Sequence, residues 1–226
     1  MKEKIEMILN WFVKNCARID FLNKILIPLC ITIFGIWITL LVDRMRLPNL
    51  EIIVGEKANS DNEYPNSHPH GGERWKFFRV LVRNKPMPLI LRWLPRETAE
   101  NCRAVVKFKK NKDKKDLFTI KGRWSSTPEI PHLSQENRLL KTLHPDPVTI
   151  PCDNEEFLDI IAKCDLDEEA YVWNNEAYFE EWRPSKYKLE KGNYEVSIYI
   201  TTQNGKSFVK KFKLIIGDNI EDTSLE

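Results

Sequence analysis

Residues Pro28 to Asp43 read PLCITIFGIWITLLVD, and this stretch divides the chain into two physical regimes. It lies in an uncharged run from Ile25 to Val42, 18 residues long. As a helix such a run measures about 27 Å at ~1.5 Å per residue, which just spans the hydrocarbon core of a bilayer. Pro28 falls in the first turn, where a missing amide donor costs little, and Leu47-Pro48 marks the break after the helix. A secretory signal has a shorter apolar region, and Thr39 to Arg46 (TLLVDRMR) offers no small-residue cleavage site. Residues 25–46 are therefore expected to form an uncleaved, single-pass transmembrane helix.

Pro28, Thr32, Gly35 and Thr39 recur at four, three and four residues, and Asp43 and Arg46 continue the series on the same side. Small residues let helices approach closely in lipid, where packing rather than hydrophobic force drives association. Thr32, Gly35, Thr39 and Asp43 are thus the candidates for packing in a homo-oligomer, with hydroxyls facing a pore and Asp43 ringing one mouth. In the competing reading each threonine bonds its own helix backbone. Upstream, residues 1–24 place Ile5, Ile8, Phe12, Cys16 and Ile19 on one helical face, with lysines and Arg18 on the polar side. That pattern suits an amphipathic helix lying along lipid headgroups, or one packed on the protein's own soluble part.

The chain carries 35 basic and 33 acidic residues, a formal charge of +2. Its soluble part is close to neutral, which excludes a general polyanion binder and leaves only a local basic patch for phosphate contact. Cys102, Cys152 and Cys164 are an odd set without a Cys-x-x-Cys pair, as expected of reduced thiols in a cytoplasmic domain on the cell inner membrane. Basic residues flank both ends of the membrane run, so charge does not orient the N-terminal helix. Gly-x-Ser-x-Gly, Walker, dinucleotide-glycine and His-Glu-x-x-His patterns are all absent from the sequence, and neither an enzyme nor a cofactor is expected. His68-Pro-His70 supplies too few ligands for a metal, and Cys164 to Ala170 (CDLDEEA) lacks the glycine and spacing of a calcium loop. The first reads simply as loop and the second as a solvated acidic turn.

From Asn49 onward, short β-rich runs such as RWKFFRVLVRN, CRAVVKFKK, GNYEVSIYITT and KSFVKKFKLIIG alternate with turn residues. The expected fold is a mainly β, immunoglobulin-like antiparallel sandwich over 47–216, followed by a loose acidic tail over 217–226. A loop of Gln203-Asn204-Gly205 matches Ile200 with Phe208 and Val196 with Phe212, with Gly205 left-handed. Glu155 to Ala162 reads as a short helix, and Asp61 to Gly72 and Trp124 to Pro151 as long irregular loops.

For a ligand, the strand-end run KFKKNKDKK offers Lys107, Lys109, Lys110 and Lys112; Arg79 and Arg83 alternate against Phe78, Val80 and Val82 on the face opposite the core, and Arg103, Arg123 and Trp124 are candidates to extend that face. Guanidinium forks and ammonium groups suit phosphate. The plainer reading makes these the solubilising outer rows of a sandwich. The segments FFRVLVRNKP, ETAENCRAVVKF, IKGRWSSTPE and GNYEVSIYITTQNGKSFVKKFKL resemble those of prokaryotic proteins built as a membrane helix followed by a β-sandwich. The layout is similar to membrane effectors of anti-phage defence such as the Hailong effector, in which a soluble domain senses a nucleotide or DNA oligomer and controls a pore. That resemblance implies an oligomeric, ligand-gated channel; no ligand-binding residue carries over from it. The expectation is a membrane effector that binds a nucleotide or oligonucleotide, with an anchored protein-interaction module as the alternative.

Overall fold

The computed structural model describes residues 22–110, 116–129 and 134–226, together with 4, 6, 7, 10, 11 and 15. Most of the amphipathic segment expected over 1–24 lies outside the described residues. The chain forms two compact units, Met1–Arg46 and Leu47–Glu226. In the first, a π-helical turn Leu22–Leu26 leads into helix α1, Ile27–Arg46. The stretch Lys24–Arg46 is long and apolar enough to cross a membrane, about 35 Å at the usual rise. Ile31, Phe34, Trp37 and Leu40 are each at least 57% exposed. An apolar surface of that extent is unfavourable in water and neutral in lipid, so α1 has the character of a membrane anchor.

The second unit is the expected β-sandwich. One sheet holds β1 (Leu50–Ile53), β2 (Ser60–Glu63), β3 (Arg74–Asn84), β6 (Arg123–Trp124), β8 (Glu155–Cys164), β9 (Ala170–Val172) and β10 (Lys188–Leu189). The other holds β4 (Ala99–Lys110), β5 (Asp116–Lys121), β7 (Val148–Ile150), β11 (Gly192–Thr201), β12 (Phe208–Ile216) and β13 (Ser224–Leu225). Every pairing is antiparallel. Alternation along the strands builds the interior: Phe78, Val80 and Val82 of β3 face Val106, Phe108, Val196, Ile198 and Leu214 of the second sheet in one continuous core. Each such side chain contributes about 1.5–3 kcal/mol on leaving water. Gly122 carries the chain from the second sheet to the first. A Cβ there would sit 2.9 Å from both Ala104 Cβ and Leu158 Cδ1, so only glycine passes.

The β11–β12 hairpin has the expected register, Ile200 opposite Phe208 and Val196 opposite Phe212. Gly205, however, is not left-handed. Its missing side chain serves close approach instead, since a Cβ would fall 2.5 Å from Thr202 Oγ1. Asn204 ties this loop across the domain, donating to Thr98 O at 2.8 Å and accepting from Glu100 N at 3.1 Å.

Three expectations are corrected. Glu155 to Ala162 belongs to strand β8, not a helix. From Leu158 on it is buried on both faces, so it loses the alternation by which strands are recognised. The Trp124 to Pro151 crossing contains helix α2 (Gln135–Leu143) and β7. The segment 217–226 is not a loose tail: Ile220 is buried, and Leu225 and Ser224 pair with Leu214 and Ile215. Its two apolar side chains dock where its acidic composition masked them.

Candidate functional site

On α1, Thr32 Oγ1 donates to Pro28 O at 2.8 Å and Thr39 Oγ1 to Gly35 O at 3.0 Å. Both hydroxyls are therefore satisfied within the helix, as in the competing reading. A Cβ at Gly35 would meet nothing within 4 Å, and Asp43 is exposed. The face is small and open, but its hydroxyl protons are already committed.

The two arginines placed on the first sheet are committed as well. Phe78 pairs with Ile161 but Arg79 pairs with Asp159, so Ile160 is an extra residue and β8 bulges there. The bulge sets Asp159 in one cross-strand row between Arg79 and Arg123. Asp159 accepts from Arg79 Nε at 2.7 Å, Arg123 Nη1 at 2.5 Å and Ser125 Oγ at 2.7 Å. The carboxylate is 1% exposed and Arg123 4%, while Arg79 is 22%. Arg123 also donates to Thr127 O at 3.2 Å and lies over the Tyr178 ring. This is a closed ion triad, not an open phosphate fork.

Arg103, Lys107 and Lys109 share the outer face of the second sheet, because alternate residues of β4 project to one side. The register brings further cations to that face. Lys121 of β5 lies opposite Val105, and Lys211 and Lys213 of β12 flank Ser197 and Glu195 of β11. Six basic side chains thus stand on one sheet face with Glu195 and Asp116 as the facing acids. Lys107 lies over the Tyr199 ring at 5.0 Å. Lys109 pairs with Asp116 at 3.1 Å, a hydrogen bond that raises its pKa, and Lys211 pairs with Glu195 at 3.0 Å. Arg103 and Lys213 have no side-chain ion pair among the described residues. Lys110, the last residue of β4, meets Glu190 at 3.4 Å. Lys112 lies outside the described residues.

At the Arg103 end the face dips into a cleft of about 190 Å³, lined by Arg103, Lys121, Trp124, His144 and Asp146 among others. Lys121 Nζ reaches the Leu143 carbonyl at the end of α2, at 2.5 Å. Small-molecule sites run to about 300–1,000 Å³, so this cleft is too small to enclose a whole ligand of that kind. The sequence pointed to three of these residues, but Lys121, Lys211 and Lys213 were missed. Their signal was present in the hairpin register, which places Lys211 and Lys213 in phase with Lys107 and Lys109.

The loop holding His68 and His70 packs onto an aromatic cluster. On the outer face of the first sheet, Trp75, Phe77, Tyr171 and Trp173 form a second buried cluster, with Tyr64, Tyr178 and Trp182 packed against it. His70 stacks on Trp182 at 4.0 Å and His68 on Tyr64 at 4.4 Å. Glu73 beneath accepts from Trp75 Nε1 at 2.8 Å, from Arg183 at 2.9 Å, and pairs with His70 at 3.2 Å. Burial lowers the His70 pKa despite that carboxylate. Glu73 is also lowered, because its bonds from Trp75 and Arg183 together outweigh burial. Among the described residues no three His, Cys, Asp or Glu side chains are grouped to hold a metal. Glu73, Trp75, His70 and Arg183 spend their polar groups on one another, so the cluster acts as a structural plug.

No family model matches the chain, and no curated protein matches it. A solved structure of the archaeal flagellum of Methanospirillum hungatei strain JF1 aligns over 99% of this chain and 98% of its own, at 10% identity and a TM-score of 0.36. At that score the two folds do not superpose, and the likeness says nothing about what this chain does.

Proposed function

We propose that the protein is a single-pass membrane effector whose sandwich binds an anionic, phosphate-bearing chain on the outer face of its second sheet, with a single-stranded oligonucleotide as the favoured chemistry. One observation carries the reading: the register gathers Arg103, Lys107, Lys109, Lys121, Lys211 and Lys213 on one face of an otherwise near-neutral domain. A flat basic face with a single small cleft suits an extended polyanion better than a mononucleotide, which needs an enclosing pocket. Tyr199, within the face, offers a ring for a base to stack on once Lys107, which lies over it at 5.0 Å, turns to a phosphate. In a homo-oligomer the helices would meet along Gly35 and Asp43, and ligand binding would bias their packing only by favouring one arrangement over the other. The defence role and the pore belong to this proposal.

The second reading is an anchored protein-interaction module without conduction. It is favoured by the two threonine hydroxyls, which bond their own helix and leave no donor for a pore lining. The test of ligand binding is charge reversal in the full chain. Lys107→Glu, Lys211→Glu and Lys213→Glu together are expected to weaken a labelled single-stranded oligonucleotide at least tenfold at low salt. Unchanged affinity removes the ligand face. Conductance across a bilayer holding the protein, compared with Asp43→Ala, separates effector from module, since a module stays at baseline.

A further inference from the structure

Between β3 and β4 the chain reads KPMPLILRWLPR, from Lys85 to Arg96. Its burial is inverted. Leu89, Ile90 and Trp93 are 82%, 89% and 75% exposed, whereas Met87 and Leu94 on either side are buried. The segment is built to stay that way. Leu89–Leu91 form a 3-10 turn, closed by Leu91 N to Pro88 O at 2.8 Å and Leu94 N to Leu91 O at 2.9 Å. Pro86, Pro88 and Pro95 restrict the rest. A rigid finger thus holds two large aliphatic side chains and an indole in solvent, where the gain from burying them is forfeited.

Its position supplies the reason. Lys85 N donates to Asn49 O at 3.0 Å, and Arg96 Nη1 donates to Leu47 O at 2.8 Å. The base of the finger is therefore bonded to the first residues after Arg46, where α1 ends. If α1 crosses the bilayer, covalent connection puts Leu47 at the headgroup level, and the finger with it. Its polar groups fit that level. Arg92 is exposed beside Trp93, and Lys85 and Arg96 complete a segment without a single acid. Tryptophan and arginine are the residues that settle at the boundary between headgroups and acyl chains.

We infer that the Lys85–Arg96 finger is a second membrane contact, inserting Leu89, Ile90 and Trp93 into the interface of the same bilayer that holds α1, with Arg92 against anionic headgroups. Insertion of this kind reaches about 5–10 Å into the headgroup and acyl boundary. It would fix how the sandwich meets the membrane. The inference rests on the reading of α1 as a membrane anchor.

The test uses the full chain in phosphatidylglycerol-containing nanodiscs, with Cys16, Cys30 and Cys152 replaced by Ser and the buried Cys102 and Cys164 retained. A spin label is placed at Ile90→Cys, at Trp37→Cys in α1, or at Val209→Cys on the exposed second sheet. Collisional access of oxygen and of a water-soluble nickel chelate is then measured. The expected result is an oxygen-to-nickel ratio at 90 several-fold above that at 209, at headgroup depth, and a higher ratio still at 37. Lipid access at 37 with water access at 90 overturns the finger and leaves the anchor. Water access at 37 overturns the anchor itself. A label at 90 shielded from both reagents means a protein occupies the finger, and also overturns the inference.

Discussion

Asp159 shows how one backbone irregularity changes what neighbouring side chains are available to do. Without the extra residue at Ile160, Arg79 and Arg123 would stand as outward cations; with it, both turn onto one carboxylate. Removing one partner of a buried ion group leaves the others charged without compensation, a loss of about 3–5 kcal/mol. Asp159→Ala is expected to lower the stability of the sandwich by that amount in urea unfolding, while leaving oligonucleotide binding to any folded protein intact. Arg103, by contrast, has no internal partner among the described residues, and its replacement should touch binding and not stability. The difference was hidden from the sequence, because Arg79 and Arg103 both stand between apolar neighbours in strand-like runs.

His70 carries a pH dependence whose sign is fixed by its surroundings. Burial holds its pKa below the ordinary value of 6.5, with Glu73 opposing and Arg183 and His68 assisting. The unfolded chain takes up that proton first, so stability falls as the pH drops through about 6.5. Glu73, held below its ordinary 4.5, adds a further loss as the pH falls through its lowered value. Thermal unfolding from pH 7.5 to 5 should therefore show a declining midpoint, and His70→Gln should flatten the decline. A midpoint that rises on acidification would contradict the burial argument.

At the scale of elements, the sandwich rests on a few positions where two sheets approach closely. Gly122 is one. Its Cβ would contact Ala104 and Leu158 at 2.9 Å, and overpacking of that kind costs about 1–3 kcal/mol. Gly122→Val is expected to destabilise the domain within that range and also to distort the adjoining cleft. Much of this level was legible in the sequence. The hairpin register followed from matching Ile200 with Phe208, and the strands β3, β4, β11 and β12 from their alternation. What was not legible had a common cause. Strand β8 has apolar residues on both faces and reads like a helix, and the last strand, β13, is a two-residue pairing inside an acidic run. Period and composition are averages over a window, and both elements are decided by single contacts to distant residues. The aromatic cluster escaped for the same reason: the pair Tyr64 and Trp75 is distant in the chain from the pair Trp173 and Trp182, and the two come together only across the folded sheet.

At the scale of the whole molecule, the chain joins an apolar helix, exposed throughout its length, to an independent sandwich whose two sheets have different outer faces. The first is sealed by aromatic rings and the Asp159 triad, and the second is left basic and open. Near-neutral composition concealed that asymmetry, because the acids concentrate elsewhere. Binding of a phosphodiester chain to such a face releases counterions, and for single strands the logarithm of affinity falls with the logarithm of salt with a slope of about −0.7 per phosphate neutralised. The decisive measurement is the affinity of the full-length protein in nanodiscs for a labelled single-stranded oligonucleotide across a salt series. Six cations, two of them already paired with Asp116 and Glu195, predict a slope of roughly −3 to −4. A slope near zero, or no binding at the lowest salt, would contradict the account.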